Sequence, residues 1–149
     1  CQECRTLLLP RLERSGITLV CHCPALEVYF DRERIREVLL NLLDNCILHS
    51  GCTRISISAA TLPVRLIVED NGEGIPPEQL ERLFQPFYRP GTSAPGGSGL
   101  GLAICKEIMT AQGGDIGILS TPGTGTRAIL YFQDTQKPQK WYNHMARRI

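Results

Sequence analysis

The sequence has no surplus of either charge. Lys and Arg total 16 against 15 Asp and Glu, a net of +1, so nothing draws the chain toward nucleic acid or an anionic membrane, and a polyanion-binding domain is not expected. No apolar run approaches the ~18 residues of a membrane span, and the opening CQECRTLLLPRLERSG lacks the apolar stretch and cleavage pattern of a signal peptide. A soluble domain is expected. Nor is there an even set of cysteines from which to build a disulfide framework. The seven, Cys1, Cys4, Cys21, Cys23, Cys46, Cys52 and Cys105, are scattered, which suits reduced thiols in a reducing cytosol. Cys1-x-x-Cys4 with Cys21-x-Cys23 is the nearest approach to a zinc site, and neither half has strong zinc-ribbon spacing. There is no internal repeat and no initiating Met; opening on Cys1 suggests a piece of something longer. What is present, 149 residues with 42% apolar content, suffices for one domain that hides roughly two-thirds of its unfolded surface.

Hydrophobic period and turn residues divide the chain. From Gly16 to Phe30, ITLVCHC and EVYF read as two short β segments broken at Pro24. Asp31 is a good N-cap, and Ile35, Val38, Leu39, Leu42, Leu43, Cys46 and Ile47 recur as one apolar stripe, predicting a long helix. Arg54–Ser58 and Val64–Glu69 predict strands, the second with Val64, Leu66 and Val68 on one side. Asp70-Asn71-Gly72-Glu73-Gly74 is a turn by composition, and Ile75-Pro76-Pro77 predicts a helix reaching about Phe84. Residues 88–98, YRPGTSAPGGS, hold three glycines and two prolines, which predicts a loop. A helix from about Leu100 to Gln112 ends at Gly113-Gly114, and Cys46 and Cys105 fall on apolar helix positions, where a thiol packs as a small hydrophobe. Ile116–Ser120 and Thr126–Phe132 form a hairpin around Thr121–Gly125. The closing QDTQKPQKWYNHMARRI is polar and basic with no apolar period, a tail that is loose or docks elsewhere.

Four features carry chemistry. Glu37, Asn41 and Asn45 stand four apart and project from one stripe of the long helix. This is either a solvated face or a polar ladder offered to a ligand. The amide oxygen of Asn is a neutral hard ligand, of the sort that holds Mg2+ already carrying phosphate oxygens. Asp70 is followed by Gly72 and Gly74: either a plain turn, or a carboxylate that accepts from an exocyclic amine beside glycines that let a flat ring approach. Gly97, Gly99 and Gly101 open into a helix, where free amides and the helix dipole attract phosphate. No Lys-Ser or Lys-Thr follows, as Walker A requires, and no strand precedes, as a dinucleotide fingerprint requires. The signatures of Ser, Thr and Tyr kinases are also missing. Phe84 and Phe87 read as core aromatics, or as stacking partners at the base of a lid.

In this order and separation the features resemble the catalytic, ATP-binding domain of bacterial sensor histidine kinases. NLLDNCILHS stands as the N box, VEDNGEGIP and GGSGLGLAI as the two glycine boxes, and LFQPFYRP as the F box, over about residues 16–132. The resemblance implies the α/β Bergerat ATP-binding fold shared with gyrase-type, Hsp90 and MutL ATPases. That fold is a two-layer sandwich, a mixed sheet of about five strands with three main helices on one face and a lid loop. It also implies a division: residues 1–15 as the end of a linker or dimerisation-domain helix, 16–133 as the catalytic domain, and 134–149 as a basic tail.

Carried over by position, the resemblance implies ATP and Mg2+ as the bound pair. Glu37, Asn41 and Asn45 form the catalytic group, with Asn45 on the metal and Asn41 in the phosphate pocket. Asp70 takes the adenine amine directly or through water, with Gly72, Gly74 and Ile75 around the ring. His49, Phe87, Arg89, Gly97, Ser98, Gly99, Leu100, Gly101 and Leu102 contact the nucleotide from the helix end, the lid and the next helix. Gyrase-like relatives hold a water-activating glutamate at the place of Asn41, so Asn41 implies transfer to a protein rather than hydrolysis. The acceptor histidine belongs to a separate dimerisation domain, and none of His22, His49 or His144 lies in a matching H box. The implied partners are that domain, a response regulator and a second copy in the intact protein; the isolated domain is expected to be monomeric, cytoplasmic, and without nucleic acid or membrane insertion. Two departures point to modest ATP affinity: Leu48 stands where the family has Lys or Arg, and the lid has Arg89 as its one cation. A nucleotide-dependent binding module and a gyrase- or Hsp90-type ATPase are the alternatives.

Overall fold

A computed structural model describes residues 2–24, 30–61, 63–89 and 98–132. Much of the second expected β segment, the lid from 90 to 97 including Gly97, and the tail from 133 onward lie outside the described residues. In chain order the elements are α1 (Gln2–Ser15), β1 (Thr18–His22), α2 (Arg32–His49), β2 (Arg54–Thr61), β3 (Val64–Asp70), α3 (Pro77–Leu80), α4 (Gly101–Ala111), β4 (Asp115–Thr121) and β5 (Gly125–Tyr131).

The strands form one mixed sheet in the order β1-β2-β3-β5-β4. β1 runs parallel to β2, a pairing that needs a long crossover, and α2 supplies it. The remaining pairs are antiparallel, with Asp70 directly opposite Thr126. Alternation along the strands sends Ile55, Ile57, Leu66, Val68, Ile116, Ala128 and Leu130 to one face. There they join Val38, Leu39, Leu42 and Leu43 of α2 and Cys105 and Met109 of α4 in a single core.

α2 begins where the sequence predicts. Asp31 Oδ1 accepts from the Glu33 and Arg34 N–H groups at 2.9 and 3.2 Å, satisfying two donors of the open first turn. The apolar stripe then buries Val38, Leu39, Leu42, Leu43 and Cys46. α1 places Cys4, Leu8 and Leu12, four apart, into the same core. Ion pairs Arg11–Asp44 and Arg32–Glu3 tie it to α2. α1 therefore packs into the same core as the elements that follow residue 16.

The helix expected from Pro76 or Pro77 to Phe84 is shorter. It ends at Leu80 and continues as turns with N–H groups of Arg82, Leu83 and Gln85 bonded three residues back. Pro86 has no N–H and restricts Gln85, so a regular helix has no continuation here. β4 runs one residue further at each end than expected, and β5 begins and ends one residue earlier, with Gly125 paired to Thr121. Among the described residues no helix is long and apolar enough to cross a membrane.

Candidate functional site

A cavity of about 660 Å³ opens between the second half of α2, the end of β3 and the start of α4. Asn41, Asn45, Leu48 and His49 line it from α2, Asp70 from β3, Gly74 and Ile75 from the loop after β3, and Gly101 and Leu102 from α4. Arg89, Ser98 and Gly99 close one side, at the two ends of the lid. Val68, Leu83, Ile118 and Ala128 give an apolar floor, the surface a flat aromatic ring needs.

Asp70 is the single buried charged residue among those described, at 6% exposure, and burial of a carboxylate demands donors. Gly72 N–H gives one to Oδ1 at 2.8 Å, and the Cys46 thiol gives one to Oδ2 at 3.5 Å. Burial first, then the charge of Asp70, push the Cys46 thiol far above its ordinary range. Asn71 is used up locally: its Oδ1 accepts from Thr53 and Arg54 N–H at 3.0 and 2.8 Å, pinning the loop to the start of β2. The glycines at 72 and 74 admit close backbone approach. A Cβ at Gly72 would lie 2.1 Å from Ser50 O, and one at Gly74, where φ is +73°, would lie 2.2 Å from Thr121 O. Gly74 still lines the cavity; Gly72 sits behind Asp70.

The polar ladder on α2 divides. Asn45 and His49 face the cavity, and Asn41 reaches its edge beside Gly101. Asn41 also hydrogen-bonds the Cys105 sulfur, opposing the burial that pushes this thiol up to about 12. Glu37 does not reach the main cavity: it pairs with Arg34 at 3.0 Å and lines a neighbouring hollow with Arg36, Leu40 and Asn41. One further turn of helix, about 5.4 Å, carries it past the rim. Leu48 is 52% exposed and still lines the cavity.

Among the described residues no side chain caps the start of α4, which leaves its first amides turned to an anion. Leu100 and Phe87 are not among the lining residues. Phe87 is not a core aromatic either, being 74% exposed with φ at +64°. Its N–H bonds Gly99 O at 2.9 Å, and a Cβ on Gly99 would lie 2.8 Å from its carbonyl carbon. The two ends of the lid thus cross in contact, which only glycine at 99 permits. Phe84 is the partly buried member of the pair, with the Lys106 ammonium over its ring at 5.5 Å.

Among the lining residues that the sequence did not assign to the site, Thr126 and Cys46 stand beside Asp70. Thr126 lines the cavity opposite Asp70, with its hydroxyl 2.9 Å from that of Ser120; strand alternation with Ala128 and Leu130 was the available signal. Cys46 was read as apolar filling, and no sequence pattern shows its contact with Asp70. Among the described residues no group of three His, Cys, Asp or Glu stands ready for a metal. Asn45 offers one neutral oxygen, which fits an ion arriving with ligands of its own, as Mg2+ does on phosphates.

A family profile described as histidine kinase-, DNA gyrase B-, and HSP90-like ATPase matches residues 30–136. The alginate biosynthesis sensor protein KinB of Pseudomonas aeruginosa is 45% identical over 103 residues, 67% of this chain and 17% of that protein. The sensor histidine kinase RcsC of Escherichia coli K12 is 37% identical over 144 residues, 89% of this chain and 15% of that one. The sensor histidine kinase YkoH of Bacillus subtilis is 41% identical across 85% of this chain and 29% of its own. The chain therefore spans less than a third of these relatives. Among solved structures, the catalytic domain of histidine kinase ThkA superimposes with a TM-score of 0.75 at 31% identity, covering 88% of both chains. Full-length ShkA in complex with AMPPNP superimposes with a TM-score of 0.78 at 27% identity, over 88% of this chain and 28% of that one.

Proposed function

The chain belongs to the histidine kinase-, DNA gyrase B- and HSP90-like ATPase family, as an ATP-binding kinase domain of the sensor histidine kinase kind, and from that premise we propose that it holds Mg-ATP in the α2–β3–α4 cavity and delivers the γ-phosphoryl group to a histidine on a separate dimerisation domain. A response regulator would take the phosphoryl group onward, and the reaction would run on the cytoplasmic side of any membrane, where ATP is. The observation that carries the reading is that Asp70 and Asn45, from different elements, line one cavity.

Asp70 accepts a hydrogen bond from the adenine amine over the apolar floor, which orients the nucleotide. Asn41, Asn45, Arg89 and the open amides of α4 lie at the other end for the phosphates. Mg2+, held on the protein side by Asn45, would supply charge neutralisation between phosphate oxygens. Transfer breaks the bond to the bridging β–γ oxygen, forms a bond from phosphorus to imidazole nitrogen, and leaves ADP. Side chains have little covalent work in such a step, so positioning carries it. Asn41 has no proton-accepting group with which to activate water, which favours transfer over hydrolysis.

Calorimetric titration with a non-hydrolysable ATP analogue, with and without Mg2+, tests the reading. Binding is expected to need Asp70, weakening about tenfold or more in Asp70→Asn, because the amide keeps only one acceptor oxygen and its NH2 must then face a donor, either the adenine amine or the Gly72 N–H or Cys46 thiol. Absence of binding at millimolar analogue, or unchanged binding in Asp70→Asn, overturns it. The position of Leu48 supports a second reading, a module that binds nucleotide to dock partners without transfer. Mixing the chain with a separately made dimerisation domain and assaying phosphohistidine separates the two, since the second predicts none.

A further inference from the structure

We infer that the Cys46 thiol is a positioning residue for Asp70, and that through this contact it sharpens the preference of the cavity for a purine bearing an exocyclic amine. The inference rests on the nucleotide reading above and goes beyond it, because Cys46 falls on the apolar stripe of α2 and has no place in the phosphate chemistry. Its own position is secured from behind. The Cys46 carbonyl accepts from Ser50 Oγ at 2.7 Å, from Ser50 N–H at 3.4 Å and from Cys52 Sγ at 3.7 Å, so the last turn of α2 is knotted at this residue. Ser50 O in turn accepts from Glu73 N–H at 2.8 Å, tying the knot to the loop that follows Asp70.

From this fixed point Cys46 Sγ lies 3.5 Å from Asp70 Oδ2, while Gly72 N–H lies 2.8 Å from Oδ1. A carboxylate with one donor on each oxygen cannot turn freely about its terminal torsion, and each oxygen keeps a lone pair for one further donor. The plane of the acceptor is thereby set before nucleotide arrives, and preorganisation of this kind raises affinity by reducing what must be ordered on binding. Because burial and the nearby carboxylate hold the thiol protonated, it stays a donor throughout the neutral range. Without it, Oδ2 is a buried oxygen that lacks its protein donor, and the carboxylate is free to rotate or recruit water.

The test uses the full chain and two probes, ADP and purine riboside diphosphate, which lacks the amine. Wild type is expected to bind ADP more tightly. Cys46→Ala is expected to lose about three- to tenfold in ADP affinity, as for loss of one weak hydrogen bond to a charged group, while changing little toward the amine-free probe. Cys46→Ser, which restores a donor, is expected to recover most of the discrimination. A change of mere packing would weaken both probes together and would not be rescued by Ser. The inference is overturned if Cys46→Ala keeps the wild-type ratio of the two affinities, or if Ser behaves as Ala. If wild type binds neither probe, the nucleotide reading itself has failed and takes the inference with it, a result distinct from ADP binding that ignores Cys46.

Discussion

Asn45 and Leu48 stand three residues apart on α2 and face the same cavity with opposite chemistry. Leu48 puts a half-exposed apolar surface where phosphate oxygens would lie, with Arg89 and His49 as the cationic-capable groups among the described lining residues. Leu48→Lys should tighten binding of an ATP analogue about three- to tenfold at low ionic strength, with the gain shrinking as salt rises, because the new pair is partly solvated. Calorimetry at two salt concentrations reads this, and an unchanged affinity would place the phosphates elsewhere. The buried thiols give a second handle at this scale. Burial raises Cys105 from 9.0 to about 12, so the folded state binds the proton more tightly than the unfolded one. That contribution is fully present below pH 9.0, declines as pH rises, and is lost on passing pH 12. Urea midpoints measured between those limits should fall less steeply in Cys105→Ala than in wild type.

At the scale of elements, α2 was legible because its signals agree: Asp31 caps it and one apolar stripe runs through it. Asp31→Ala removes the acceptor for two N–H groups and should lower stability by about 1 kcal/mol, read as a shift in the urea midpoint with unchanged slope. The same local agreement made β3 and the β4–β5 hairpin readable. What was hidden depends on neighbours remote in sequence. The parallel pairing of β1 with β2, the sulfur contacts of Cys46 and Cys105, and the placing of Thr126 beside Asp70 are set by which strands and helices meet. Glu37, which lines a neighbouring hollow, shows a simpler limit, since a four-residue step predicts a shared stripe but not where the cavity ends. The glycines of the loop after β3 show the same limit. Their presence was legible, but the backbone they admit belongs to Ser50 and to the hairpin. Gly74→Ala combines a strained φ with a Cβ 2.2 Å from Thr121 O, and should cost about 3 kcal/mol or more by thermal or urea unfolding.

At the scale of the whole molecule, the question is whether α1 belongs to the unit that unfolds. Cys4, Leu8 and Leu12 are buried at 2%, 4% and 3% exposure in the core that α2 and the sheet share, while neighbouring Leu7 is 57% exposed. Arg11 of α1 also pairs with Asp44, which lines the cavity. A helix attached only through surface ion pairs would add at most about 1 kcal/mol per pair, and truncating its apolar residues would leave the rest unmoved. A helix that completes the core behaves otherwise. Leu8→Ala should destabilise the entire chain by about 2–5 kcal/mol, moving one cooperative urea transition to lower midpoint with the slope kept. Leu7→Ala on the same helix should stay within about 0.5 kcal/mol of wild type. If instead Leu8→Ala leaves the midpoint in place, or splits the transition so that helix signal is lost before the sheet unfolds, α1 rests on the domain without being part of its core. The rim of the cavity at Asp44 would then be linked to a helix that can come away.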